Sequence, residues 1–173
     1  MAQETLTVGV VVERRPLDNP WIDHVWLPSG ILPGAPAAEA WTILREEAGV
    51  RQFYAGPHAI SFFSTETAHY RDNLLSGSPK IWVSLRRTDA EPPVTIIGVT
   101  ADPAEGEAFT EAGDDTVEAV AMPPEIAARL AEFVETHHVE RSFEKRRRDK
   151  ADPDALAARP GGGVQRAGDG DRE

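Results

Sequence analysis

Apolar and polar positions along this chain repeat at two periods, one close to two residues and one close to 3.6. Residues 5–13 (TLTVGVVVE) and 21–26 (WIDHVW) make two β-type runs. They are joined through Arg14-Arg15-Pro16-Leu17-Asp18-Asn19-Pro20, where two prolines and the turn residues Asp18 and Asn19 exclude a helix and force a change of direction. Residues 27–36 carry proline or glycine at five of ten positions and predict a loop. Residues 41–45 predict a short strand, and residues 51–55 and 59–64 flank Gly56-Pro57-His58 as the arms of a hairpin. Residues 80–86 alternate Ile81, Val83 and Leu85 against Trp82 and Ser84, the signature of a strand. Residues 94–100 (VTIIGVT) are nearly continuously apolar and predict a central strand, and residues 116–122 alternate again as the last one.

The helical period appears three times. Residues 66–75 place Ala68 or Tyr70, then Leu74, at helical spacing, with Gly77 as a stop. Asp102 as N-cap, Pro103 at the first helical position and Glu105 as a capping carboxylate predict a helix ending at Gly113. From Pro124 to about His138, the residues Ile126, Leu130, Phe133, Val134 and His137 form one apolar stripe. Eight strands and three helices with short connections predict an α+β fold: a mainly antiparallel or mixed sheet packed by two or three helices, with a partly closed barrel as the alternative arrangement. Residues 1–144 read as one domain. From Lys145 onward the sequence is basic, then rich in Gly and Asp, and only Leu156 and Val164 are sizeable apolar residues between 149 and 173. Such a segment buries too little surface to offset its ordering entropy, so residues 145–173 are expected to be a disordered tail.

Charge changes the picture more than length does. The net charge is −11 over 173 residues. The first 140 residues hold nine Lys and Arg against 22 Asp and Glu, a net of −13, while the remainder carries +2. A body this acidic repels a phosphate backbone, which argues against nucleic-acid binding. The absence of cysteine excludes disulfides, thiolate metal sites and thiol catalysis. Residues 8–12 are far too few to cross a bilayer, and Arg14-Arg15 follows an apolar run where a twin-arginine signal would precede one. No membrane association and a cytoplasmic location are therefore expected.

Candidate chemistry is sparse. His24, flanked by Asp23 and Trp26, has the composition of an oriented base, but neighbours in a strand point to opposite faces, which favours a histidine packed beside indole. His137 and His138, with Glu135 and Glu140, include the Glu-x-x-His spacing of di-iron bundles, but only one copy is present. Charge placement at a helix C-terminus is the preferred reading, and neither a metal nor a cofactor is expected. Arg14-Arg15 and Arg86-Arg87 each follow an apolar strand; they would clasp an anion jointly if the strand ends met, and otherwise keep sheet edges soluble, which is the preferred reading. Lys145, Arg146, Arg147 and Arg148 carry no interleaved aromatics, so docking to an acidic protein surface is their best functional use. Gly161-Gly162-Gly163 opens no helix and cradles no phosphate, and Gly-x-Ser-x-Gly is absent.

Taken together, the segments VVVERRPLDNPWIDHVW, ILPGAP, FYAG, KIWVSLRR, VEAVAMP and HHVERSFEKRRR resemble an uncharacterised bacterial protein family whose genes are commonly found beside formate dehydrogenase genes and their maturation factors. The likeness covers about residues 5–148. It implies an accessory role in assembly of a molybdenum- or tungsten-dependent formate dehydrogenase, with a subunit of that enzyme or a maturation factor as protein partner. The positions carrying the resemblance are Arg14, Arg15, Asn19, Trp21, Asp23, His24 and Trp26, then His137, His138, Phe143, Lys145 and Arg146. A non-enzymatic interaction protein is the expectation, since Trp and Arg are common binding hot spots and no catalytic signature is present. Two alternatives stand beside it. One is a small-molecule or metal-binding protein or enzyme that gathers His24, His137 and His138 in a pocket, and the other is a subunit that binds through a sheet edge.

Overall fold

The computed structural model describes residues 1–140. Seven strands make two antiparallel sheets: β1 (Gln3–Pro16), β2 (His24–Pro33), β3 (Thr42–Glu47) and β4 (Val50–Phe63) in the order β2-β1-β4-β3, then β5 (Lys80–Arg87), β6 (Val94–Thr100) and β7 (Thr116–Ala121) in the order β6-β5-β7. Three helices accompany them: α1 (Thr67–Leu75), α2 (Pro103–Glu111) and α3 (Pro124–His137). The α+β class holds, and the strands close no barrel. The expected tail, including Lys145, Arg146, Arg147 and Arg148, and the domain boundary at 144 lie outside the described residues.

Three expectations need correction. Gly56-Pro57-His58 is not a hairpin turn, because β4 runs straight through it, paired to β1 from Gln3↔Phe63 to Arg14↔Arg51. The register slips between Val10 and Val11, so Ala55 bulges, and Gly56 takes φ +108°, a conformation that only glycine adopts freely. Pro57 is tolerated because β3 covers β4 only from Val50 to Tyr54, leaving no ladder partner on the other side of Pro57.

Residues 27–36 are likewise mostly strand. β2 extends to Pro33 as the edge of the first sheet, with Pro28 and Gly30 on either side of a bulge opposite Val11 and Val12. Edges and bulges are where a sheet accepts proline, which is why composition alone misreads the segment. Finally, β6 is an edge strand and β5 the central one. The apolar run of β6 serves the core, where Ile96 and Val99 pack beside their partners Leu85 and Val83, while on the other face Gly98 admits α2: a Cβ there would lie 2.7 Å from the Phe109 ring.

One continuous core joins both sheets to α1 and α3. Val10 and Val12 from β1, Phe62 from β4, Val83 from β5 and Leu130 and Phe133 from α3 belong to it. α2 packs on the opposite face of the second sheet. There Gly106 sits so close to Trp82 that an added Cβ would fall 2.3 Å from the indole. As expected, the Asp102 side chain accepts from Ala104 N at 2.9 Å and caps α2, and Pro103 is its first residue. α1 is pinned by one buried side chain. Asn73 Nδ2 donates to the carbonyls of Lys80 (2.8 Å) and Ala101 (2.9 Å), and Lys80 N donates back to Asn73 Oδ1 at 2.9 Å. α3 buries Ile126, Leu130, Phe133 and Val134 as the stripe predicts.

Candidate binding site at the first hairpin

The ladder between β1 and β2 ends at Pro16↔His24, and the loop beyond it is held in shape by two further bonds. Leu17 N donates to the Asp23 carbonyl at 2.9 Å, closing the base of the loop. Trp21 N donates to Asn19 Oδ1 at 2.8 Å, an Asx turn that sets the indole at the tip. Trp21 is 90% exposed, with Leu17 at 42% and Ile22 at 36% beside it. A large indole held in solvent by a built turn is the outstanding exposed apolar feature of this hairpin. Asp23 is exposed next to it.

Below the tip, Trp26 takes a different role. Its ring stacks on Phe53 at 5.5 Å and meets Trp41 edge-on at 6.1 Å, while Trp41 and Phe53 also touch at 6.1 Å. Trp41 adopts φ +70°, a left-handed conformation unusual for a bulky residue, and the two aromatic contacts and a backbone bond from Trp41 N to the Tyr54 carbonyl hold it there. Arg14 covers this trio, its guanidinium carbon 5.8 Å from the Trp26 ring centre and 5.9 Å from that of Phe53. Its Nε is buried and finds no acceptor among the described residues. Arg15 points to the other face of β1, where it pairs with the buried Glu13, whose second oxygen accepts from Gln52 Nε2 at 3.4 Å.

A cavity of about 110 Å³ opens between the hairpin and the second sheet. Leu17, Ile22 and His24 line it from one side, and Leu85, Arg87 and Val94 from the other. Of these, the sequence singles out His24 as a partner-binding residue and Arg87 only as half of the Arg86-Arg87 pair, for which a solvated strand end is the preferred reading. The available signal was the alternation of β5, which places Arg87 on the same face as the buried Leu85 and directly opposite Val94. The two arginine pairs therefore divide. Arg86 pairs with Asp115 through two bonds of 2.9 Å, which holds the Asp115 carboxyl below its ordinary range, while Arg87 faces the cavity.

The histidines at the end of α3 have other surroundings. The His137 ring lies 4.6 Å from that of Phe133. Arg71 donates to His138 Nε2 at 3.4 Å, so Nδ1 carries the proton and donates to Thr67 Oγ1 at 3.1 Å, which in turn donates to the Ser64 carbonyl. This chain ties the end of α3 to the start of α1. His24, His137 and His138 form no three-donor cluster among the described residues. The three-donor cluster found there is Glu66, His69 and Asp102, with His69 Nδ1 3.0 Å from Asp102 Oδ1 and 3.3 Å from Glu66 Oε2. A hydrogen-bond contact of one imidazole with the α2 cap Asp102, with Glu66 one helical turn before it, accounts for that geometry.

The β3 edge of the first sheet is also open to solvent. On β3, Ile43 and Leu44 are both about half exposed, followed by Arg45, Glu46 and Glu47, charges that discourage edge-to-edge pairing. No described helix is long and apolar enough to cross a membrane.

No curated protein and no solved structure shows significant similarity to the chain. A family described as a protein of unknown function, DUF3305, matches residues 7–147, which include the whole hairpin, the cavity and all three helices. The chain belongs to the DUF3305 family.

Proposed function

We propose that this chain is a non-enzymatic interaction protein, acting in the cytoplasm to assist assembly or maturation of a molybdenum- or tungsten-dependent formate dehydrogenase. Its partner is a subunit of that enzyme or one of its maturation factors. The observation carrying the contact role is Trp21, 90% exposed at a tip fixed by Asn19 and by the Leu17–Asp23 bond. A pre-ordered indole loses little conformational entropy on docking, and Trp is the residue most enriched among binding hot spots. The resemblance of VVVERRPLDNPWIDHVW and its companion segments to a family encoded beside formate dehydrogenase genes supports the choice of partner.

The test is copurification from the native host with tagged wild-type chain and with Trp21→Ser. A formate dehydrogenase subunit or maturation factor recovered with wild type, and reduced at least about tenfold with the variant, is the expected result. Equal recovery with both chains, or no such protein with either, would sink the reading. A third chain with Lys145, Arg146, Arg147 and Arg148 changed to Gln separates the contribution of that basic run from that of the hairpin.

A further inference from the structure

The cavity beneath the hairpin tip differs in character from the acidic body around it. Among the first 140 residues Asp and Glu outnumber Lys and Arg by 22 to nine, yet no carboxylate lines this cavity. Its ionisable residues are Arg87 and His24. Among the described residues the Arg87 guanidinium makes no hydrogen bond or ion pair, whereas Arg86 beside it is fully engaged by Asp115. The walls near Arg87 are aliphatic: Leu85 and Val94 below, Leu17 and Ile22 above. A space of about 110 Å³ is smaller than the roughly 150 Å³ that holds benzene, and suits one branched aliphatic side chain.

We propose that this cavity recognises a short acidic segment of a protein partner, seating one Leu, Ile or Val side chain between Leu85, Val94 and Ile22 while an adjacent carboxylate pairs with Arg87. The assignment rests on the interaction reading above and names the chemistry of the partner. Charge complementarity selects the occupant. A carboxylate entering here meets the cation that lines the site, whereas a basic segment meets Arg87 head-on. The exposed Trp21 then covers the docked segment from the tip, excluding water from the ion pair, which strengthens it.

A displayed library of random heptapeptides, selected in parallel on the full chain and on Arg87→Glu, tests the proposal. The expected outcome on wild type is enrichment of an aliphatic residue within two positions of Asp or Glu. Binding of the enriched peptides should fall by about tenfold or more on Arg87→Glu, with backbone amide shifts in the wild type centred on Leu85, Arg87, Val94 and His24. Arg87 is exposed, so unchanged thermal unfolding of the variant verifies that its fold is intact. No enrichment, enrichment of lysine-rich or wholly apolar sequences, equal binding to both chains, or self-association through this face would overturn the proposal. If copurification of the native partner is still lost on Trp21→Ser, the interaction reading survives any of those results. If the partner is retained on Trp21→Ser, that reading itself fails.

Discussion

The guanidinium carbon of Arg14 sits 5.8 Å from the centre of the Trp26 ring, and directly across the ladder the two residues are register partners. Five positions toward the tip, Trp21 is open to solvent. Two tryptophans of one hairpin thus serve different ends: Trp26 closes the aromatic end of the core, and Trp21 is presented.

That division gives the first prediction. Trp26→Ala removes two aromatic contacts and should destabilise the fold by about 3 kcal/mol in denaturant unfolding. Trp21→Ser should change stability by less than about 0.5 kcal/mol. Arg14→Met should lie within about 1 kcal/mol of wild type, since the cation–π attraction it loses is offset by removal of a buried, unpaired Nε donor. A large loss on Arg14→Met would show that the guanidinium has a hydrogen-bond partner beyond the described residues.

Gly106→Ala reverses the usual rule for helices. Ala in place of a mid-helix Gly ordinarily adds about 1 kcal/mol. Here the new Cβ would meet Trp82 Cγ at 2.3 Å, so α2 must lift from the sheet. A net loss of about 2 kcal/mol is expected, measured by thermal or urea unfolding. A stabilised variant would mean that α2 does not rest on Trp82.

Asn73 joins α1 to the second sheet through three hydrogen bonds. Asn73→Ala takes the side-chain donor from the buried Ala101 carbonyl and the half-buried Lys80 carbonyl, and the acceptor from Lys80 N, and should cost about 3 kcal/mol. Asn73→Asp keeps the acceptor for Lys80 N but turns a carboxylate toward those carbonyls, so it should be no better above neutral pH. Removing the exposed neighbour, Asp72→Ala, is the control and should be near neutral.

His58 shares a face with the buried Ile60 and Phe62, and its partial burial pushes its pKa below the ordinary 6.5. The folded chain therefore takes up this proton less readily than the unfolded chain. The stability associated with neutral His58 is full above pH 6.5 and declines as pH falls below it. His58→Gln should flatten the pH dependence of unfolding in that range, and the wild-type imidazole should titrate by NMR with a midpoint under 6.5. Tyr70, buried and pushed up to about 12, should stay protonated through the ordinary range of a spectrophotometric titration.

Local signals that depend on neighbouring residues were legible in the sequence. Asp102-Pro103 started α2, the stripe from Ile126 to Val134 buried one face of α3, and Ile81, Val83 and Leu85 alternated into the core. What misled was proline and glycine. Pro28, Gly30, Gly56 and Pro57 look like turn chemistry along the chain, but their tolerance is set by which side of a strand lacks a partner, a property of sheet order. The candidate site was half legible for the same reason. Trp21, His24 and the arginine pairs stand out by type, yet the cavity exists only because Leu85, Arg87 and Val94 from distant strands meet the hairpin. Arg87 differs from Arg86 through the parity of β5 alone, so composition could not separate the cation at the cavity from the one held by Asp115.

The most direct measurement replaces Trp21 with a photo-crosslinking benzoylphenylalanine in the native host, with the same residue at exposed Glu107 on α2 as the reference. Irradiation should yield a discrete adduct from position 21 and none from position 107, and its mass spectrum should contain a formate dehydrogenase subunit or maturation factor. No adduct at position 21, or the same adducts from both positions, would contradict the claim that this hairpin is where the chain does its work.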